Sequence, residues 1–405
     1  MYTAEANPET TEGGEDDPYP KFRFIPNFGE QLYTKKRPTL FVFRWRAPNE
    51  LSRGGSDTTP APFVTALSLD QPSNIPVLFG QAIFITETRL YATGYEQTGD
   101  GKLLGVKGCF NRPSSIWELI LPSENPTTAC KSVKIGTAGG SCRSPRVLFD
   151  NDRVATTLFW LCNPVGGAHA STVSLHVRDL KGSAGDRLLV DVVHDPSAQD
   201  FPGLYTEYNL ADSPFVRLGD KTFILTQSLW RSRPTLILIN AETGDVVDLT
   251  PVLGGQPLYS WNLLGTDGAR SVICSRSTPT SPSETLHLTL AQDGTVGNVR
   301  VLDKPFVSPK RAYGQFGGSF PVLIQSAVQE AIDRLDARVI PIPNRYPVET
   351  IVIQSKESVE EQKPFCLTIP HGGPHASSVT SFTPGVLAYA LEGCESIGVL
   401  LIPPI

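Results

Sequence analysis

The chain has 405 residues with 35 lysines and arginines against 41 aspartates and glutamates, a net charge of -6. That balance gives no electrostatic case for a nucleic-acid partner, and 40% apolar residues are enough to bury a core and to exclude global disorder. Charged residues are sparse at 19%, and Gly and Pro number 35 each, which favours short strands and turns over long helices.

In chain order, the acidic and polar stretch 1–20 is expected to be a tail. It has no basic segment followed by an apolar one, so it does not read as a signal peptide. No run approaches the ~20 apolar residues of a membrane span. Strand-length β-branched and aromatic runs follow: Thr39–Trp45, Phe63–Leu69, Gln81–Thr86, Arg89–Tyr95, Ser115–Leu121, Thr156–Cys162 and Val173–Leu180. Further on come Thr222–Ser228, a hairpin over Thr235–Thr250, Ser271–Ser277 and a hairpin over Thr285–Val296. Asp-rich and Asp-Gly turns separate them, as in "SPRVLFDND" and "NLLGTDGAR". Sets of about four short strands recurring every ~40–50 residues predict propeller blades, with one or two β-sandwiches as the alternative.

The run Ser326–Leu335 predicts a short helix, and Pro341, Pro343 and Pro347 predict a linker. A different grammar follows: a strand at Thr350–Gln354, a nearly continuous apolar strand at Pro364–Pro370 expected to be buried on both faces, a helix over Phe382–Gly393 and a strand at Ile397–Ile402. Strand, Gly-rich loop, helix, strand is the βαβ order of an α/β sheet. The expected fold class is therefore mostly β: a partial β-propeller over 21–340, then the first βαβ portion of an α/β-hydrolase domain over 341–405.

Between the apolar strand and the helix lies "PHGGPH", Pro370–His375. In α/β-hydrolases a His-Gly-Gly loop after an early strand lends a backbone N–H to the oxyanion hole, because glycines let the backbone approach a tetrahedral oxygen closely. An ordinary Gly-Gly-Pro turn with solvated histidines is the plainer reading. The nucleophile elbow G-x-S-x-G that would complete such a site does not occur in the 405 residues. The 30 residues after His375 contain no aspartate. Other candidate chemistry is thin. His169, His176, His194 and His287 lack metal-ligand spacing and read as structural, with "HVRD" (His176–Asp179) as a blade edge. Seven cysteines without CxxC indicate a reducing, cytoplasmic setting; Cys142 has the basic neighbour Arg143, and most of the seven read as buried thiols. No cofactor fingerprint is present, and neither metal nor membrane is expected.

With these residues in view, the chain resembles the acylaminoacyl-peptidases of the prolyl oligopeptidase family. "PHGGPH" carries the loop, while "FNRPSSIWELIL", "SPRVLFDNDRVATTLFW", "DFPGLYTEYNL", "SRPTLILINAETGDVVDLT" and "SWNLLGTDG" carry the propeller. The resemblance implies a propeller capping an α/β-hydrolase domain, and a serine-type enzyme that frees an N-acylated amino acid from a blocked peptide. It implies that Gly373 donates its N–H to the oxyanion, Gly372 shapes the turn, His371 braces the loop, and His375 makes an inter-element or gating contact. It also implies homo-oligomers with acylated peptides as partners and no cofactor. Against about seven blades in the family, and a loop of Asn-Tyr-x-Gly-Ser type after the strand that follows "LAYALEG", the chain reads as truncated at both ends, without a Ser/Asp/His triad and inactive alone. A propeller that only binds other proteins, and a fragment without function, remain the alternatives.

Overall fold

The structure is a computed structural model that describes residues 1–5, 19, 22, 35–36, 38–44, 63–67, 69–70, 77–97, 110–122, 129–136, 139–168, 171–182, 185–197, 200–205, 209–251, 257–305, 329–345, 348–356, 365–371, 377–392 and 396–400. The chain divides into two compact units, Met1–His169 with Leu175–Leu188, and Ala170–Ser174 with Leu189–Ile405.

In the first unit β1 (Tyr2–Glu5), β2 (Pro38–Arg44) and β3 (Phe63–Ala66) form a three-stranded antiparallel sheet. The short β4 (Leu69–Asp70) pairs with β8 (Cys130–Ile135). Strands β5 (Leu78–Phe84), β6 (Arg89–Tyr95), β7 (Ser114–Ile120) and β8 make an antiparallel four-stranded meander. A second set follows in the order β9 (Gly140–Phe149), β10 (Ala155–Pro164), β11 (Ser174–Asp179) and β12 (Arg187–Val190). One parallel pair, Ser114 with Ser141, joins the two sets into a single nine-stranded sheet. The His176–Asp179 segment is not the edge expected from sequence: β12 lies outside β11.

The second unit holds two more meanders. One is β13 (Phe215–Leu218), β14 (Lys221–Trp230), β15 (Arg233–Asn240) and β16 (Val246–Asp248); the other is β17 (Ser260–Thr266), β18 (Ser271–Thr278), β19 (Ser281–Leu290) and β20 (Val296–Asp303). The near-continuous apolar run of β15 has a plain cause: this strand is interior to its sheet and buried on both faces from Arg233 to Ile239. The outermost strand β20 is almost wholly exposed and interleaves Asn298, Arg300 and Asp303 with valines. Between the two sheets Leu225, Leu236 and Leu238 meet Trp261, Val272, Leu286 and Leu288 in one core. Each such side chain contributes about 1.5–3 kcal/mol by leaving water.

The turns follow the aspartates. Asp150, between β9 and β10, accepts N–H bonds from Asp152 and Val154 at 3.1 and 2.9 Å. Asp267, between β17 and β18, accepts from Ala269 and Ser271 at 2.9 Å each. The same side chain thus closes the first hairpin of two different blades, which is the repeat visible in "SPRVLFDND" and "NLLGTDGAR". The fold is mostly β, and the four-stranded meanders are propeller blades.

A last sheet has the order β21 (Leu335–Pro341), β22 (Glu349–Ser355), β24 (Ser396–Leu400), β23 (Cys366–Pro370). Strands β23 and β24 are parallel, and helix α1 (Pro384–Leu391) lies between them in sequence, giving the expected βαβ. Leu387 and Ala390 of α1 pack on Ile353 with Leu335 and Ile332. Pro384 opens the helix at a position where its missing N–H costs nothing. Two details differ from the sequence reading. The expected short helix is seen over the described residues 329–333, but the Pro-rich segment begins as a strand, β21, whose residues pair with β22 throughout. Strand β23 is not buried on both faces: it alternates exposed and half-buried, because Leu367 and Ile369 pack on the core that α1 covers while Cys366, Thr368 and Pro370 point to the other face, which no described residue covers.

Candidate active-site loop

Strand β23 delivers Pro370 and the half-buried His371 to the end of the sheet. Gly372, Gly373 and His375 lie outside the described residues. The chain is described again from Ser377, and the segment 377–382 between the loop and α1 is a strap laid on the blades of the same unit. Thr380 is its peg, with no exposed surface. Its N–H donates to the Ser232 carbonyl at 2.9 Å, and its hydroxyl lies 2.7 Å from that of Ser260. Two residues on, the Phe382 N–H donates to Ser277 Oγ at 3.2 Å. Ser260 and Ser277 are cross-strand partners at one end of the β17–β18 ladder, so a pair of opposed serines grips the strap.

A second anchor comes from the β14–β15 turn. Arg231, at φ +59°, and Ser232 form this tight connection. The Ser232 hydroxyl donates to Glu349 Oε2 at 2.8 Å, and Arg231 Nη1 reaches Oε1 at 3.3 Å. Glu349 opens β22 and is buried. Ser232 therefore touches both the strap and the sheet that carries the loop.

Beside the strap is a cavity of about 440 Å³. It is lined by Thr226, Gln227, Ser228 and Leu229 of β14, Pro234 of β15, Asn262 and Leu263 of β17, Ser377, Val379 and Ser381 of the strap, and Tyr205, Asn209 and Ala211. Among the described residues that line it there is no acid, base or histidine. Such a cavity can hydrogen-bond amides and accept small apolar groups, whereas an unpaired charge entering it would lose hydration without compensation. Among the described residues no three His, Cys, Asp or Glu side chains converge as metal ligands. His176 stacks on Trp160 at 5.5 Å between ring centroids, and His169 lies outside the described residues.

Residues 23–298, more than half of the chain, match the family described as acylamino-acid-releasing enzyme, N-terminal domain. The chain belongs to this family. It is 27% identical over 316 residues to an acylamino-acid-releasing enzyme of Arabidopsis thaliana, covering 70% of this chain and 37% of the relative. It is 26% identical over 388 residues to acylamino-acid-releasing enzyme 2 of Oryza sativa subsp. japonica, covering 88% and 46%. The chain thus spans less than half the length of these relatives. Prolyl oligopeptidase B from Galerina marginata, solved with a 25-residue macrocyclisation substrate, superposes over 91% of this chain and 44% of its own with a TM-score of 0.52 at 10% identity, a likeness of fold.

The peptidase resemblance was legible in "PHGGPH" and the blade segments. The gripping residues Ser232, Ser260, Ser277 and Glu349 were not singled out, because isolated serines in strands carry no spacing signal. The only hint of Thr380 was a hydroxyl-rich run, "SSVTS", between loop and helix.

Proposed function

We propose that this chain is the propeller and oxyanion-loop portion of a serine-type acylaminoacyl-peptidase, releasing an N-acylated amino acid from blocked peptides. The observation that carries the reading is the strap: the residues directly after the His-Gly-Gly loop are pinned by Thr380 to the blades, beside a cavity whose described lining is polar and apolar without a charged side chain. Gly373 donates its backbone N–H to the tetrahedral oxygen, Gly372 shapes the turn, His371 braces the loop and His375 makes a contact between elements. A blocked N-terminus has no ammonium charge, so an acylated peptide meets the uncharged described lining of this cavity at less desolvation cost than a free one. Residues 21–340 serve as the propeller and 341–405 as the start of the α/β-hydrolase domain, in the cytoplasm.

The nucleophile elbow is not among these 405 residues, and residues 376–405 contain no aspartate. The reading therefore assigns this chain one arm of an oxyanion hole and no covalent catalysis of its own. The purified chain is expected to leave an N-acetyl-amino-acid anilide intact. Turnover that a serine-directed inhibitor abolishes would overturn the assignment of inactivity. Failure of an acylated peptide to bind any better than its free-amine counterpart, read by calorimetry, would overturn the substrate reading.

A further inference from the structure

Strands β9 and β10 place Cys142 directly opposite Cys162 in their antiparallel register. The two sulfurs lie 3.1 Å apart, with the Cys142 thiol donating to Cys162 Sγ. Both are buried, but not equally: Cys142 has no exposed surface and Cys162 retains 7%. The guanidinium of Arg143, itself buried, is held by the side chain of Asn163, next to Cys162 in sequence, and lies 4.5 Å over the Phe110 ring. This cluster belongs to no part of the candidate active-site loop.

We propose that Cys142 and Cys162 form a redox-active dithiol, a modification site at which a small peroxide closes a cross-strand disulfide between β9 and β10. The geometry asks for little movement. A disulfide needs its sulfurs at about 2 Å and its Cβ atoms somewhat closer than opposed residues of a flat ladder stand. The register of β10 shifts between Phe159 and Leu161, beside Cys162, and such an irregularity gives the backbone the freedom to close that gap.

The chemistry divides the roles. The hydrogen bond from Cys142 and then the positive charge of Arg143 hold the Cys162 thiol below its ordinary range. Burial pushes the other enclosed thiols up, Cys130 to about 11 and Cys274 to about 12. Cys162, which accepts the Cys142 hydrogen bond and is the less enclosed of the two, is thus the thiol that attacks as its thiolate. Its sulfur bonds to one peroxide oxygen, the O–O bond breaks, and the leaving hydroxide takes the proton that Cys162 gave up and departs as water. Cys162 is left as the sulfenic acid. The sulfur of Cys142 then attacks the sulfenic sulfur, the S–O bond breaks, and the hydroxide leaves with the Cys142 proton as a second water. The two sulfurs have together lost two electrons, which the peroxide oxygens have gained.

The test uses the full chain treated with hydrogen peroxide near neutral pH, then alkylated and digested without reductant for mass spectrometry. The exposed Cys366 reports that oxidant has acted. The expected result is a peptide joining Cys142 to Cys162, two hydrogens lighter than the separate thiols and split by dithiothreitol, with Cys130 and Cys274 still alkylated. In the Cys142→Ser variant the same treatment is expected to leave Cys162 as a sulfenic acid that dimedone traps. Recovery of both Cys142 and Cys162 as alkylated thiols after Cys366 has been consumed would overturn the proposal. So would oxidation of Cys162 to the sulfinic acid in the unmodified chain without passage through the linked peptide.

Discussion

Thr380 and Ser260, 120 residues apart in sequence, share a buried hydroxyl–hydroxyl hydrogen bond of 2.7 Å. Neither hydroxyl has another function visible in the sequence, yet together they decide where the segment after the His-Gly-Gly loop lies. A buried polar group left without its partner costs about 1–3 kcal/mol, so the bond ties the strap to one position more firmly than the apolar contacts of so short a segment could.

Thr380→Val removes the hydroxyl at nearly constant volume. The expected outcome is faster amide exchange at Thr380 and Phe382, by roughly five- to 150-fold, corresponding to a loss of about 1–3 kcal/mol. Thr380→Ser is expected to restore protection. Equal exchange in the Val variant and the parent would mean that the backbone bond to Ser232 holds the strap unaided.

The Ser232–Glu349 contact predicts coupling across the chain. Ser232→Ala and Glu349→Ala each remove one side of a buried bond to a charged acceptor. Each is expected to destabilise by about 1–3 kcal/mol. The double variant is expected to fall short of the sum by about 1 kcal/mol, as partners in direct contact do. Chemical denaturation of the four proteins measures it, and strict additivity would refute the coupling.

Much of the fold could be read before any coordinates, and the reasons are specific. Arg89–Tyr95 was expected with the bounds it has, and the Thr235–Thr250 hairpin resolves into β15 and β16 around the expected turn. Both are interior strands or tight hairpins, where β-branched runs and Asp or Gly turns act locally. The exposure of β23 was missed because its apolar sequence describes a buried strand, while only the face bearing Leu367 and Ile369 is covered by the described residues. The strand β21 was missed because Pro341 and Pro343 hid it, although a proline can end an edge strand without breaking a ladder. The strap was missed for a third reason: its bonds reach residues 105–148 positions away, and no local pattern encodes such a contact.

Gly244 illustrates a position at which only glycine fits. Its φ is +83°, and a Cβ there would stand 2.1 Å from the Leu189 carbonyl oxygen. Gly244→Ala therefore meets both backbone strain and a contact with main chain that cannot rotate away. The first alone costs about 1–3 kcal/mol. The expected outcome is a lower thermal midpoint, greater than that caused by Gly268→Ala, where φ is +74° but nothing lies within 4 Å. Equal losses at the two sites would show that conformation, and not the approach of Leu189, sets the cost.

The turn aspartates predict a pH response with a definite sign. Hydrogen bonds from the Thr295 hydroxyl and then its N–H hold Asp293 below the ordinary 3.8, and at Asp150 the Lys181 ammonium and then the Val154 N–H do the same. A carboxyl whose folded value is depressed binds fewer protons folded than unfolded, so its contribution is present above 3.8 and disappears as pH falls through the folded value. Both groups are solvent-exposed, so the effect on global stability is small, and the titration itself is the sharper readout. NMR titration of the two carboxyls is expected to give midpoints below 3.8. Thr295→Val is expected to raise that of Asp293 toward 3.8 and leave Asp150 where it was, because the two depend on different donors. A shift of both carboxyls together would trace the depression to the net charge of the chain instead of to the turn.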